Sequence, residues 1–183
     1  MIEVLAACRA YSHAPLVALA RLGLPPVVVG LFVYLLLSRS GPLGGLGWLF
    51  TPRAMIAAQV IISLPLVIGL TLTAVEGVDP ALRLQVRSLG AGPGQVMLAV
   101  LGEAAGGVLA GVVAAFGSII SEVGAVMLVG GNIDGATRVL TTAIVLETRK
   151  GNFDLALALG AVLLALTFAA NFLLLRLPLR QLR

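Results

Sequence analysis

Four long stretches without a single Asp, Glu, Lys or Arg constrain this chain more than any other feature. They cover residues 22–38, 54–75, 104–121 and 155–175, and the third resumes after Glu122 and runs to residue 133. A helix that crosses a bilayer needs about 20 consecutive, mostly apolar residues. As buried helices of a water-soluble protein, four such runs would leave almost no polar face. The composition agrees. Only 11% of the 183 residues are charged and 60% are hydrophobic, whereas a soluble domain is about 25% charged. The expected fold class is therefore all-α, a polytopic membrane protein with the bilayer as its main solvent. A typical cytosolic enzyme and a disordered or collagen-like chain are excluded.

The spans follow as residues 16–38, 54–75, 104–130 and 155–175. The first needs an upstream start. Pro25 and Pro26 leave only residues 27–37 as uninterrupted helix, about 16 Å at 1.5 Å per residue, too short to cross. The span is placed to begin near Leu16, with Arg21 snorkelling to the headgroups and the prolines breaking or kinking the helix. Pro65 does the same in the second span.

Four spans put both termini on one side. The tail carries Arg176, Arg180 and Arg183 and no acid, so the positive-inside rule makes the C-terminus cytoplasmic. The loop 76–103 is then cytoplasmic, and residues 39–53 and 131–153 are external. The inner side would hold seven cations and the outer side five: Arg39, Arg53, Arg138, Arg149 and Lys150. The tail carries most of this orientation. Trp48, close to the second span, is expected to anchor at the interface.

Rare residues close off other chemistry. Cys8 is the only cysteine and His13 the only histidine. No intrachain disulfide, Cys-rich metal site or multi-His site can form. No Gly-x4-Gly-Lys-Ser/Thr loop is present; the run Gly90-Ala91-Gly92-Pro93-Gly94 lacks the lysine. No catalytic group, cofactor or metal is expected, and ATP hydrolysis falls to another chain. The net charge of +4 resides between apolar runs, so no nucleic-acid partner is expected.

The loop 76–103 holds the strongest local pattern. Asp79 and Pro80 form a helix start, as N-cap and N1. A short helix over 81–89 would end at Gly90, and Pro93 could start another. The product is a helix-turn-helix elbow between two spans, with Arg83 and Arg87 on one face at i, i+4. A short helix across the cytoplasmic ends of spans suits docking of a soluble partner; an ordinary interfacial hairpin is the plainer reading.

The run from Leu84 to Ala91, followed by Val100 and Leu101, resembles the coupling loop of binding-protein-dependent ABC importer permeases. Gly90 stands at that family's glycine and Val100 at its isoleucine. Leu84 replaces the family's glutamate, and Gly102 and Glu103 replace its Leu-Pro. Residues 24–43 resemble the second span of the tungstate-type members. Residues 121–148 resemble their fifth span and external loop, and 151–160 also fit. The likeness covers residues 15–175. It implies a type I ABC importer permease helical bundle for tungstate, molybdate or a related oxyanion, in a bacterial or archaeal cytoplasmic membrane. It also implies three partners: a separate ABC ATPase, a second permease copy and an extracytoplasmic oxyanion-binding protein. The ATPase would dock on Arg83, Leu84, Arg87, Leu89, Gly90 and Ala91. Family members begin with a further span and a basic loop, so about four spans of a five-span core are expected here. The start would then lie elsewhere, or the chain would be a fragment or a shortened permease.

Glu122 is the only charge within residues 104–133. An intramembrane carboxylate faces a partner or a wet cavity. Repulsion of an anionic cargo favours a structural or gating role over direct binding, and Arg138 is a candidate partner. Gly124 follows it in the same stretch. Gly130, Gly131 and Asn132 permit a sharp turn at the membrane exit. Thr137, Arg138, Thr141 and Thr142 offer donors suited to an oxyanion, or else form a solvated loop with a helix start. Glu122, Gly124, Asn132, Thr137, Arg138 and Thr141 are thus the candidates for the path or its gate. Two competing classes stay open: a secondary, proton-coupled transporter using Glu122, and a truncated, nonfunctional permease.

Overall fold

Proline positions set the frame of the fold. The computed structural model describes residues 25–176, and eight α-helices account for most of them. They are α1 (Pro26–Leu37), α2 (Pro52–Glu76), α3 (Pro80–Ser88), α4 (Pro93–Glu103), α5 (Ala105–Ile120), α6 (Gly124–Gly130), α7 (Leu140–Arg149) and α8 (Phe153–Arg176). A single 3-10 turn, Gly44–Leu46, interrupts the α1–α2 loop. Each of α1 to α4 begins with a proline in its first turn. There the missing N–H is no loss and the fixed φ suits the helix. Pro65 lies inside α2 and does not end it.

Among the described residues, two helices are long and apolar enough to cross a membrane: α2, and α8 over Phe153–Leu174. Helices α4 and α5 pass the same test together but are bent by 60° between Glu103 and Ala105. Helix α1 has 12 residues, about 18 Å, against roughly 30 Å of hydrocarbon. The upstream part of the expected first span, with Arg21, lies outside the described residues. So do Cys8, His13, Arg180 and Arg183.

The stretch 104–130 departs from the continuous helix expected of it. It forms α5 and α6 with a break at residues 121–123. Together the two pieces run antiparallel to α2 along its length. A Cβ built on Gly107 would lie 2.5 Å from the Ala74 Cβ, one on Gly111 2.9 Å from the Leu70 Cβ, and one on Gly130 2.9 Å from the Met55 Sδ. The break has a local cause. Ser121 Oγ donates to the carbonyls of Gly117 and Ser118 at 3.1 and 3.0 Å. Glu122 then accepts a backbone N–H of the next helix. Both side chains compete with the helical ladder.

The main core lies where α1, α2 and α6 meet. It contains Val29, Val33 and Leu37 from α1, Ala58 and Ile62 from α2, and Val126 and Val129 from α6, with Trp48 packed against it. Trp48 is half-buried against the core, close to the start of α2. A second cluster of Val78, Val100 and Ala104 holds the α3–α4 elbow against the ends of α2 and α5. The outward faces are apolar: Leu31 and Phe32 on α1, Leu64 and Ile68 on α2, and Phe168 and Leu173 on α8 are all exposed. Water would not tolerate such a surface; lipid would.

Candidate functional site

The elbow is built by its caps. Gly77 closes α2, its N–H bonding to the Thr73 carbonyl at 3.1 Å. The Ala81 N–H donates to Asp79 Oδ1 at 2.8 Å, and Pro80 follows Asp79 at the first helical position. At the far end of α3, Gly90 adopts φ +86°, a left-handed conformation that favours glycine. The Ala91 N–H returns to the Val86 carbonyl at 3.3 Å. The Gly92 N–H donates to Gln95 Oε1 at 2.8 Å, which fixes the entry into α4.

This geometry divides the six docking candidates. Leu84 and Leu89 are 62% and 86% exposed, and Arg87 and Gly90 are exposed with them. Ala91 is half-buried. Arg83 differs from the sequence expectation of an open pair with Arg87. Its Nη2 donates to the Val75 carbonyl at 3.4 Å, so the guanidinium reaches back to the C-terminal end of α2. That end carries partial negative charge, which suits a cation. Arg83 therefore ties the elbow to α2, and Arg87 is the arginine left on the open face. Behind α3 lies a cavity of about 600 Å3, bounded by Thr73, Gly77, Asp79, Leu82, Glu103 and Gly107 among others.

At the break, the Ala125 N–H donates to Glu122 Oε1 at 3.0 Å. Glu122 thus caps α6, a use of the carboxylate that the sequence did not reveal. The cap leaves little room beside it: a Cβ on Gly124 would lie 2.7 Å from Val27 Cγ2 and 3.4 Å from Glu122 Oε1. The suggested Glu122–Arg138 pair is replaced by a nearer one. Arg138 Nη1 bonds Asp134 Oδ1 at 2.9 Å, a local i, i+4 pair that needs no long-range closure.

Beyond α6 the chain turns through Gly131 (φ +72°) and Asn132 (φ +50°). Thr137 holds this turn. Its Oγ1 donates to the Gly130 carbonyl and accepts the Ile133 N–H at 2.9 Å. Thr142 Oγ1 accepts the Val139 N–H at 3.0 Å and starts α7. Thr137, Thr141 and Thr142 are all buried. The hydroxyls of Thr137 and Thr142 are spent on backbone, so both threonines shape the turn and are not free donors. Asn132 Oδ1 is buried without a partner among the described residues.

The α7–α8 turn is clamped by Glu147, which accepts from Lys150 Nζ and Asn152 Nδ2, each at 2.7 Å. These bonds, Asn152 first, hold the Glu147 carboxyl below the usual carboxylate range.

Two features escaped the sequence reading. Asn171, a lone amide in the apolar α8, faces α5: its Nδ2 is 3.9 Å from where a Cβ on Gly117 would be, and its Oδ1 is buried without a partner among the described residues. An amide inside an apolar run was the available signal. Phe50 gave no signal at all. It takes φ +61°, and its N–H donates to the Val129 carbonyl of α6 at 2.9 Å.

The sequence model of the family described as binding-protein-dependent transport system inner membrane component matches residues 16–181. Among curated proteins, a probable anion ABC transporter permease protein of Haloferax volcanii is 48% identical over 157 residues, covering 83% of this chain and 68% of that protein. A tungstate uptake system permease protein of Peptoclostridium acidaminophilum is 45% identical over 150 residues, covering 82% and 66%. One of the same description from Campylobacter jejuni is 42% identical over 152 residues, covering 83% and 64%. The chain thus spans about two thirds of the length of these relatives.

Proposed function

We propose a function from one premise: this chain belongs to the family of binding-protein-dependent transport system inner membrane components. It is a non-catalytic, multi-pass membrane permease of the ABC importer type. Its cargo is tungstate or a related oxyanion such as molybdate, a reading supported by the anion and tungstate permeases to which it is similar. A separate ABC ATPase supplies the work. An extracytoplasmic binding protein delivers the anion to the side of the 131–153 loop, and two permease copies enclose the path. The C-terminus and the elbow face the cytoplasm.

One observation carries the coupling role. Helix α3 is capped by Asp79 and tied to α2 by Arg83, while Leu84, Arg87 and Leu89 stand on open surface. A helix anchored to its neighbour at one arginine, with exposed apolar side chains, can pass on a push from a soluble partner. Glu122 supports this reading over a proton-coupled one, because its carboxylate is committed to the start of α6.

The test is oxyanion accumulation in cells that express this permease with its ATPase and binding protein. Tungstate is expected to accumulate only when all three are present. Accumulation without the binding protein would overturn the reading. In the same assay Glu122→Gln is expected to keep at least about half of the uptake, since the amide oxygen can still cap, whereas Glu122→Ala should lose about 1 kcal/mol of helix capping. A proton carrier would instead be silenced by glutamine.

A further inference from the structure

Among the described residues, backbone strain outside glycine is gathered at one place. Phe50 and Asn132 are the only non-glycine residues with positive φ among the described residues. They belong to two segments that meet at the end of α6. A side chain in the left-handed region is sterically unfavourable, and more so for a bulky residue than for asparagine. Such strain persists only where neighbours over-determine it, and it gathers at clamps and switch regions.

The neighbours of Phe50 are specific. Its N–H donates to the Val129 carbonyl at 2.9 Å, the one backbone hydrogen bond between the 38–51 loop and α6 among the described residues. Its ring covers Gly131: a Cβ there would lie 2.8 Å from Phe50 Cδ1. The same ring meets Tyr34 of α1 edge-on, with centroids 6.3 Å apart. Phe50 thus joins α1, the loop leading into α2, and α6. Helix α6 is only seven residues long. It is bounded by the break at 121–123 on one side and by Gly131 on the other. A short rod between two bends, held at its tip by a strained residue, can exist in two positions.

We propose that Phe50 is a latch on the outer end of α6. Latched, it closes the outer junction of α1, α2 and α6. Unlatched, α6 pivots at residues 121–123, the Phe50 backbone relaxes, and the junction opens toward the external side. The proposal rests on the importer reading for its sidedness and goes beyond it in naming the residue and the moving piece.

The test uses the full complex with its ATPase and binding protein in right-side-out vesicles. Met55, buried beside Gly130, is replaced by cysteine as reporter in a Cys8→Ser background. The readout is its rate of labelling by a membrane-impermeant maleimide added outside. Phe50→Ala keeps the strained backbone and removes the ring, so labelling should rise about tenfold. Phe50→Gly removes the ring but relieves the strain, so its rate should fall between that of alanine and the parent. Packing loss alone would not produce this order. Unchanged labelling in both variants, or glycine at or above alanine, overturns the latch. If the alanine variant fails to assemble, the glycine variant decides: labelling faster than the parent supports the latch, and equal labelling overturns it. ATP-dependent uptake by the parent complex is read on the same vesicles. Absent uptake strikes the importer reading, whereas intact uptake with unchanged labelling strikes the latch alone.

Discussion

Replacing Gly30 by alanine is expected to force α1 away from α6 and to cost the bundle about 3 kcal/mol, the upper part of the range for overpacking. The Cβ itself is the obstacle. It would lie 2.6 Å from the Ala125 Cα and 2.9 Å from the Ala125 Cβ. Neither a backbone carbon nor its attached methyl can rotate aside, so the helices must separate. Separation would open a core in which Ala125, Val126 and Val129 are almost wholly buried. The sign of the effect is diagnostic. Alanine is normally better than glycine inside a helix by about 0.8–1 kcal/mol, so any loss here reports the contact. Gly45→Ala serves as control, because a Cβ there meets nothing within 4 Å. The measurement is the melting temperature of the detergent-extracted complex. A clear fall for Gly30→Ala with no change for Gly45→Ala is expected; equal melting of the two would contradict the α1–α6 packing.

Leu89→Asp is expected to weaken association with the ATPase at least tenfold. Leu89 is the most exposed large apolar side chain described, at 86%, and Leu84 is similarly placed one helical turn and a half away. An apolar anchor in the centre of a protein interface is worth about 2 kcal/mol or more. A carboxylate in its place would also have to be desolvated. The change touches no core residue, so the permease itself should extract and melt as before. Gly90→Asp should act similarly through the backbone, because φ +86° at that position costs an L-residue roughly 1 kcal/mol or more. Co-purification of the ATPase with tagged permease reads both. Full recovery of ATPase with Leu89→Asp would remove α3 from the interface.

How far these sites could be read in advance depends on the range of the interactions that make them. The elbow was legible because caps are local. Asp79, Pro80, Gly90 and Pro93 each act within a few residues, and each does so in the structure. The long apolar helices α2 and α8 were legible because the bilayer sets a length and a composition. Helix α1 was legible only as too short after its prolines. The break at 121–123 was not read, although Glu122 was noticed. A structural or gating role for Glu122 follows from its place in an apolar run, but the sequence does not show that its carboxylate caps the next turn of its own chain. Arg83 was placed with Arg87 by helical spacing, but the end of α2 lies on its side and attracts it. Phe50 lay beyond any sequence rule: its surroundings are Tyr34 of α1, Val129 of α6 and Gly131 just past the end of α6, all remote in the chain.

Transport through this chain is proposed to be driven by a separate ATPase acting on α3. Proteoliposomes holding the permease and its ATPase, with loaded binding protein outside, test it most directly. Tungstate uptake should require ATP on the elbow side, should persist when the proton gradient is collapsed, and should fall at least tenfold with Leu89→Asp. Uptake that follows an imposed proton gradient without ATP, and that Leu89→Asp leaves unchanged, would contradict it.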